Sequence, residues 1–108
     1  MIRLGVFASG SGTNAININR YFADHSTIEL AKIYCNNPVA GVITKAYSED
    51  IPTQIFTRRQ LQNGMLLKQL KQDQIDVIVL AGFLWLIPTN LITGFQHKII
   101  NLHPALLP

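Results

Sequence analysis

Three short segments of this sequence carry groups suited to chemistry. The first reads Ser9-Gly10-Ser11-Gly12-Thr13-Asn14. Glycines at 10 and 12 permit positive φ and close approach of the backbone, and a helix opening there points free amides at a ligand, which suits a phosphate. Thr13 and Asn14 add side-chain donors that a turn serving only to pack helix on strand does not need. The second pair is Asn101 and His103. In an extended strand, residues i and i+2 share a face, so the two project together while Leu102 turns to the core. An imidazole exchanges protons near neutral pH and an amide NH2 donates to a developing oxyanion, the pairing that acyl transfer requires. The plainer alternative is a strand-end histidine beside a turn asparagine. The third segment, Leu84, Trp85, Leu86 and Ile87, reads as core in isolation. Beside a polar crevice it supplies the apolar wall that a flat heteroaromatic ligand needs.

These groups need a scaffold that brings distant segments together. Apolar runs alternate with stretches of helical period, which predicts an α/β fold: an open, mostly parallel sheet with helices on both faces. Strands are expected at 2–8, 28–35, 53–56, 77–81 and 99–103. Helices are expected at 14–23, from Pro38 in a first turn to 47, from about 63 with Leu66, Leu67 and Leu70 on one face, and at 88–94, with 83–87 an apolar turn or short helix. In such a sheet ligands bind outside the carboxyl ends of the strands. All three segments fall there.

Gly10, Gly12 and Ala15 also satisfy Gly-x-Gly-x-x-Ala, the pattern of dinucleotide sites. That reading needs an acid at the end of strand two to hold a ribose. The strand ends Tyr34-Cys35-Asn36-Asn37, and Glu29 lies at its wrong end. A nicotinamide cofactor is therefore disfavoured. His25 and His97 lack comparable surroundings and read as surface residues.

The 108 residues have an apolar fraction of 48%, a charged fraction of only 14% and a net charge of +3, which describes one core-rich unit, taken as a single domain over 1–108. The apolar run at 77–87 falls short of the roughly 18 residues a membrane span requires and reads as buried sheet. No leader is evident, so a cytoplasmic protein is expected, with no membrane partner. The lone Cys35 offers neither disulfide nor zinc site, and no metal is expected. Basic residues are scattered, with Arg58-Arg59 the one adjacent pair. That is not the clustered footprint of nucleic-acid binding, and a small anionic ligand suits the balance better.

The segments Ala8-Ser9-Gly10-Ser11-Gly12-Thr13-Asn14, Val79-Leu80-Ala81-Gly82-Phe83 and Asn101-Leu102-His103-Pro104-Ala105-Leu106-Leu107-Pro108, in this order and spacing, resemble the phosphoribosylglycinamide formyltransferases, and the likeness runs the length of the chain. Methionyl-tRNA formyltransferases and formyltetrahydrofolate deformylases share an Asn-x-His element, but the Gly-Ser-Gly-Thr-Asn loop favours the glycinamide branch. The resemblance implies a Rossmann-like formyltransferase fold. It also implies formyl transfer from the co-substrate 10-formyltetrahydrofolate to the amine of glycinamide ribonucleotide, in purine (IMP) biosynthesis. Gly12, Thr13 and Asn14 are then expected to bind the substrate phosphate, with Gly10 and Ser11 shaping the loop. Asn101 and His103 are the implied catalytic residues. Folate is expected against Leu84, Trp85, Leu86, Ile87 and Asn101, with Arg59, or Arg58 if displaced by one, as a folate-side arginine. Trp85 stands where many relatives carry Arg.

The family's third catalytic residue, an Asp in an Asp-Gly-Gly stretch, is not among these residues. The chain is therefore expected to be the amino-terminal nucleotide-binding portion of such an enzyme, stopping after the fifth strand and inactive alone. A stand-alone phosphate-ligand binding or assembly module is the alternative, as is another folate-dependent formyltransferase or deformylase. Apolar sheet surface that later strands cover is expected to lie open, favouring a homo-oligomer.

Overall fold

A computed structural model describes residues 1–102. Ten elements follow in chain order: β1 (Ile2–Ala8), α1 (Thr13–Tyr21), β2 (Ile28–Cys35), α2 (Gly41–Ser48), β3 (Thr53–Ile55), α3 (Arg58–Gln62), α4 (Met65–Gln72), β4 (Val77–Ala81), α5 (Thr89–Gly94) and β5 (Ile99–Leu102). The strands form one sheet in the order β3-β2-β1-β4-β5, and every pairing is parallel. Strand order reverses between β1 and β4. That switch point is where an open parallel sheet leaves a crevice.

Period-two alternation sorts the strand residues into two cores. Leu4, Val6 and Ala8 of β1, Ile33 and Cys35 of β2, and Val79 and Ala81 of β4 meet Ala15, Ile16, Val42 and Ala46 from α1 and α2. Phe7, Tyr34, Ile78 and Leu80 face the other way, onto Leu61, Leu66, Leu70 and Leu91 from α3, α4 and α5 and onto Phe95 just after α5. The second core is aromatic, with Phe7 5.6 Å from both Tyr34 and Phe56. Helices on both faces explain why β4 is apolar throughout.

The α1–α2 layer does not reach the β5 side of its face. Ile2, Leu4, Val79, Ile100 and Leu102 there line an open, wholly apolar groove of about 350 Å³. Leu102, expected in the core, is 36% exposed on this groove.

Local chemistry moves several expected boundaries. Pro38 does not open a helix. The Asn37 side chain accepts from the Val39 amide at 3.1 Å and its carbonyl from the Ala40 amide at 3.1 Å, so a turn precedes α2. Such side-chain bonds offer the backbone an alternative to helix. Helix α3 was not expected; Thr57 and Gln60 form a reciprocal capping box that starts it. The 77–87 run is sheet only to Ala81. Gly82, at φ 72°, turns the chain out, and residues 83–87 are neither strand nor helix.

Candidate active site

The first segment sits at the switch point, at the carboxyl end of β1. Gly12 caps α1 at φ 77°, in the left-handed region that favours glycine. A Cβ there would lie 2.3 Å from Val42 Cγ2 and 2.9 Å from Val42 Cα, so both conformation and space demand glycine. Gly10 is different. It does not adopt positive φ, and a Cβ would meet nothing within 4 Å, so the positive φ that either glycine permits is used at Gly12 alone of the two. The Gly10 carbonyl instead accepts from the Val42 amide at 3.0 Å, tying the loop to α2.

Helix α1 then opens with no acidic residue and no side-chain cap. The Ile16 amide is the first to bond back, to Gly12 O at 2.9 Å. The amides of Thr13, Asn14 and Ala15 precede it and have no acceptor among the described residues, at the positive end of the helix dipole. Ser11 and Thr13 hydroxyls lie 3.2 Å apart on the exposed rim. This geometry can hold an anion.

Ser9 joins the two sides of the crevice. Only 5% exposed, it donates its amide to Gly82 O at 3.3 Å, and its hydroxyl accepts from the Leu84 amide at 3.0 Å. The loops after β1 and β4 are thereby held in fixed relation. Its signal in the sequence was only its place beside Gly10. Asn36 follows β2 at the same edge, with a buried Oδ1 that has no partner among the described residues.

The loop after β4 alternates like a strand. Phe83, Trp85 and Ile87 pack on the aromatic core, whereas Leu84 and Leu86 are 81% and 92% exposed. Of the four wall candidates, Ile87 alone lines the groove that also takes Asn101. This groove, about 500 Å³, runs between α5 and β5 and is lined by Leu80, Ile92, Phe95 and Ile99 together with Gln96 and His97, so His97, expected as a plain surface residue, shares it with Asn101. Leu80, Ile92 and Ile99 are wall residues that the sequence reading did not single out. Asn101 is registered beside Leu80, on the face opposite Leu102. His103 lies outside the described residues, as do 104–108. Arg58 lies over the Trp85 ring, and Arg59 is exposed.

The fold and this crevice define a doubly wound parallel α/β protein, with a glycine loop and free helix-start amides at its switch point and a groove of mixed lining two strands away. A formyl transferase family model matches residues 2–108, and the chain belongs to that family. It is 35% identical over 115 residues to phosphoribosylglycinamide formyltransferase of Bacillus subtilis, which covers all of this chain and 58% of that protein. It is 34% identical to the chloroplastic phosphoribosylglycinamide formyltransferase of Arabidopsis thaliana, with 98% of this chain and 39% of that one covered. Among solved structures, glycinamide ribonucleotide transformylase 1 of Geobacillus kaustophilus superposes with a TM-score of 0.86 at 39% identity, covering 100% of this chain and 61% of that one. The chain thus spans at most about three-fifths of the length of these relatives.

Proposed function

We propose that this chain forms the amino-terminal, substrate-binding portion of a phosphoribosylglycinamide formyltransferase. The observation that carries the reading is the cradle of Gly12, with its unpartnered amides at 13–15. In this reading Gly10, Ser11, Gly12, Thr13 and Asn14 hold the phosphate of glycinamide ribonucleotide. The groove ending at Asn101, largely apolar with Gln96 and His97 at its side, takes the flat ring of 10-formyltetrahydrofolate, and Arg59 faces its anionic end. A groove of this size and lining suits a heteroaromatic ligand.

The chemistry follows from the groups. The substrate's primary amine attacks the formyl carbon, forming a new C–N bond and a tetrahedral oxyanion. The Asn101 amide donates to that oxygen. His103 takes part in moving a proton from the attacking amine to the folate nitrogen, whose bond to the formyl carbon then breaks. The products are the formylated amine and tetrahydrofolate.

Calorimetry with glycinamide ribonucleotide tests this reading. Binding is expected, with ribose 5-phosphate competing and the corresponding riboside, which lacks phosphate, failing to bind. Equal affinity for riboside and ribonucleotide would contradict it.

A further inference from the structure

Trp85 is the chain's one tryptophan and lies midway along the loop between β4 and α5. That loop is pinned at both ends. At one, Gly82 makes its positive-φ turn and the Leu84 amide donates to Ser9 Oγ; at the other, Pro88 caps α5. Between the pins the backbone is held by its inward side chains, Ile87 and, before it, Trp85. Its ring meets Phe56 edge-on at 6.1 Å and Phe83 at 6.3 Å. On its open side the Arg58 guanidinium carbon stands 4.3 Å from the ring centroid.

Arg58 itself is well placed for that task. It is the first residue of α3, directly after Thr57, whose capping box fixes where the helix starts. The guanidinium is planar and weakly hydrated, which favours stacking on an aromatic face.

We infer that Arg58 is a positioning residue. By covering Trp85 it fixes the loop whose next inward residue, Ile87, walls the groove shared with Asn101. The adjacent arginines then divide their work: Arg58 holds the loop, and Arg59, with no hydrogen-bond or ion-pair partner among the described residues, is left for ligand. This role rests on the reading of that groove as the folate site.

An exposed cation–π contact of ordinary strength corresponds to a two- to fivefold change in an equilibrium. Arg58→Ala is therefore expected to weaken folic acid binding two- to fivefold by calorimetry and to leave glycinamide ribonucleotide affinity unchanged. It should also red-shift the emission of Trp85 in the ligand-free chain. Arg58→Lys, which keeps the charge, should restore part of both effects, whereas Arg59→Ala should leave the ligand-free emission as it is. Thermal melts confirm that each variant folds. Unaltered emission, or unaltered folic acid affinity, in folded Arg58→Ala would overturn the role while leaving the functional reading intact. Failure of the unsubstituted chain to bind folic acid would overturn the folate assignment of the groove, and the role with it.

Discussion

The two ends of this sheet treat their polar groups in opposite ways. At the amino end of β1, where α4 turns back into β4, the polar groups are closely paired. Asp73 accepts from Tyr34 Oη at 2.6 Å, Lys32 Nζ at 2.9 Å and Gln69 Nε2 at 2.8 Å. Arg3 donates to the Asp73 carbonyl and to Glu29 Oε1, and Lys32 also reaches Gln54 at 2.8 Å. At the carboxyl end, the first-turn amides of α1 and the buried Oδ1 of Asn36 have no partner among the described residues. Satisfied networks rigidify a fold, whereas unpaired polar groups held in place are available to a ligand. One end closes the molecule, and in the proposed function the other is kept open for binding.

The largest effect should come from breaking the open end. Gly12→Ala forces a side chain into the left-handed region and against Val42, for which overpacking and backbone strain together amount to about 3 kcal/mol. Adding Val42→Ala should not rescue it, because Val42 Cβ and Cα already stand 2.5 and 2.9 Å from the new methyl position. Urea denaturation of the single and double variants checks this, and phosphate-ligand binding should be lost in both.

Breaking the closed end should cost less and leave binding alone. Asp73→Ala strips the acceptor from Tyr34, Lys32 and Gln69 and should lower stability by about 2 kcal/mol, with ribonucleotide affinity unchanged in calorimetry.

The pH dependence sharpens the same contrast. Burial alone would raise the Asp73 pKa, but the hydrogen bonds from Tyr34, Lys32 and Gln69 outweigh it and hold the carboxyl below its ordinary value. The stabilisation is therefore present above about pH 4 and is lost as pH falls through the depressed folded value. The Tyr34 hydroxyl is pushed far up, first by burial and then by its bond to Asp73 and that residue's charge. Its contribution is complete below about pH 10 and falls away as pH rises beyond. Denaturation measured across pH should show both losses in the unsubstituted chain, and Asp73→Ala should lose the acid limb.

Much of this was legible in the residues. Strand periodicity placed all five strands to within a residue or so, because buried parallel strands announce themselves as short apolar runs. The turn at 9–14 was legible too as a glycine loop opening a helix, and Gly12 does stand in the left-handed region at the start of α1. Less legible were features that depend on partners distant in sequence. Ser9 matters because Leu84 comes to it from across the switch point. Leu80, Ile92 and Ile99 read as ordinary core residues until the sheet order sets them beside Asn101. The inward and outward halves of 83–87 could not be separated, because Leu84 and Leu86 are as apolar as the residues that pack. The side chain of Asn37 delayed α2, although Asn before Pro is itself a turn signal. The capping box of α3 was also written in the sequence, in Thr57 and Gln60.

The most direct test is to map amide chemical shifts while glycinamide ribonucleotide is added to the chain. The amides of residues 10–15 should move together with saturating ligand, and those of Arg3, Lys32 and Asp73 at the closed end should stay still. Shifts centred on the closed end, or no shift in the cradle at saturation, would contradict the proposed function.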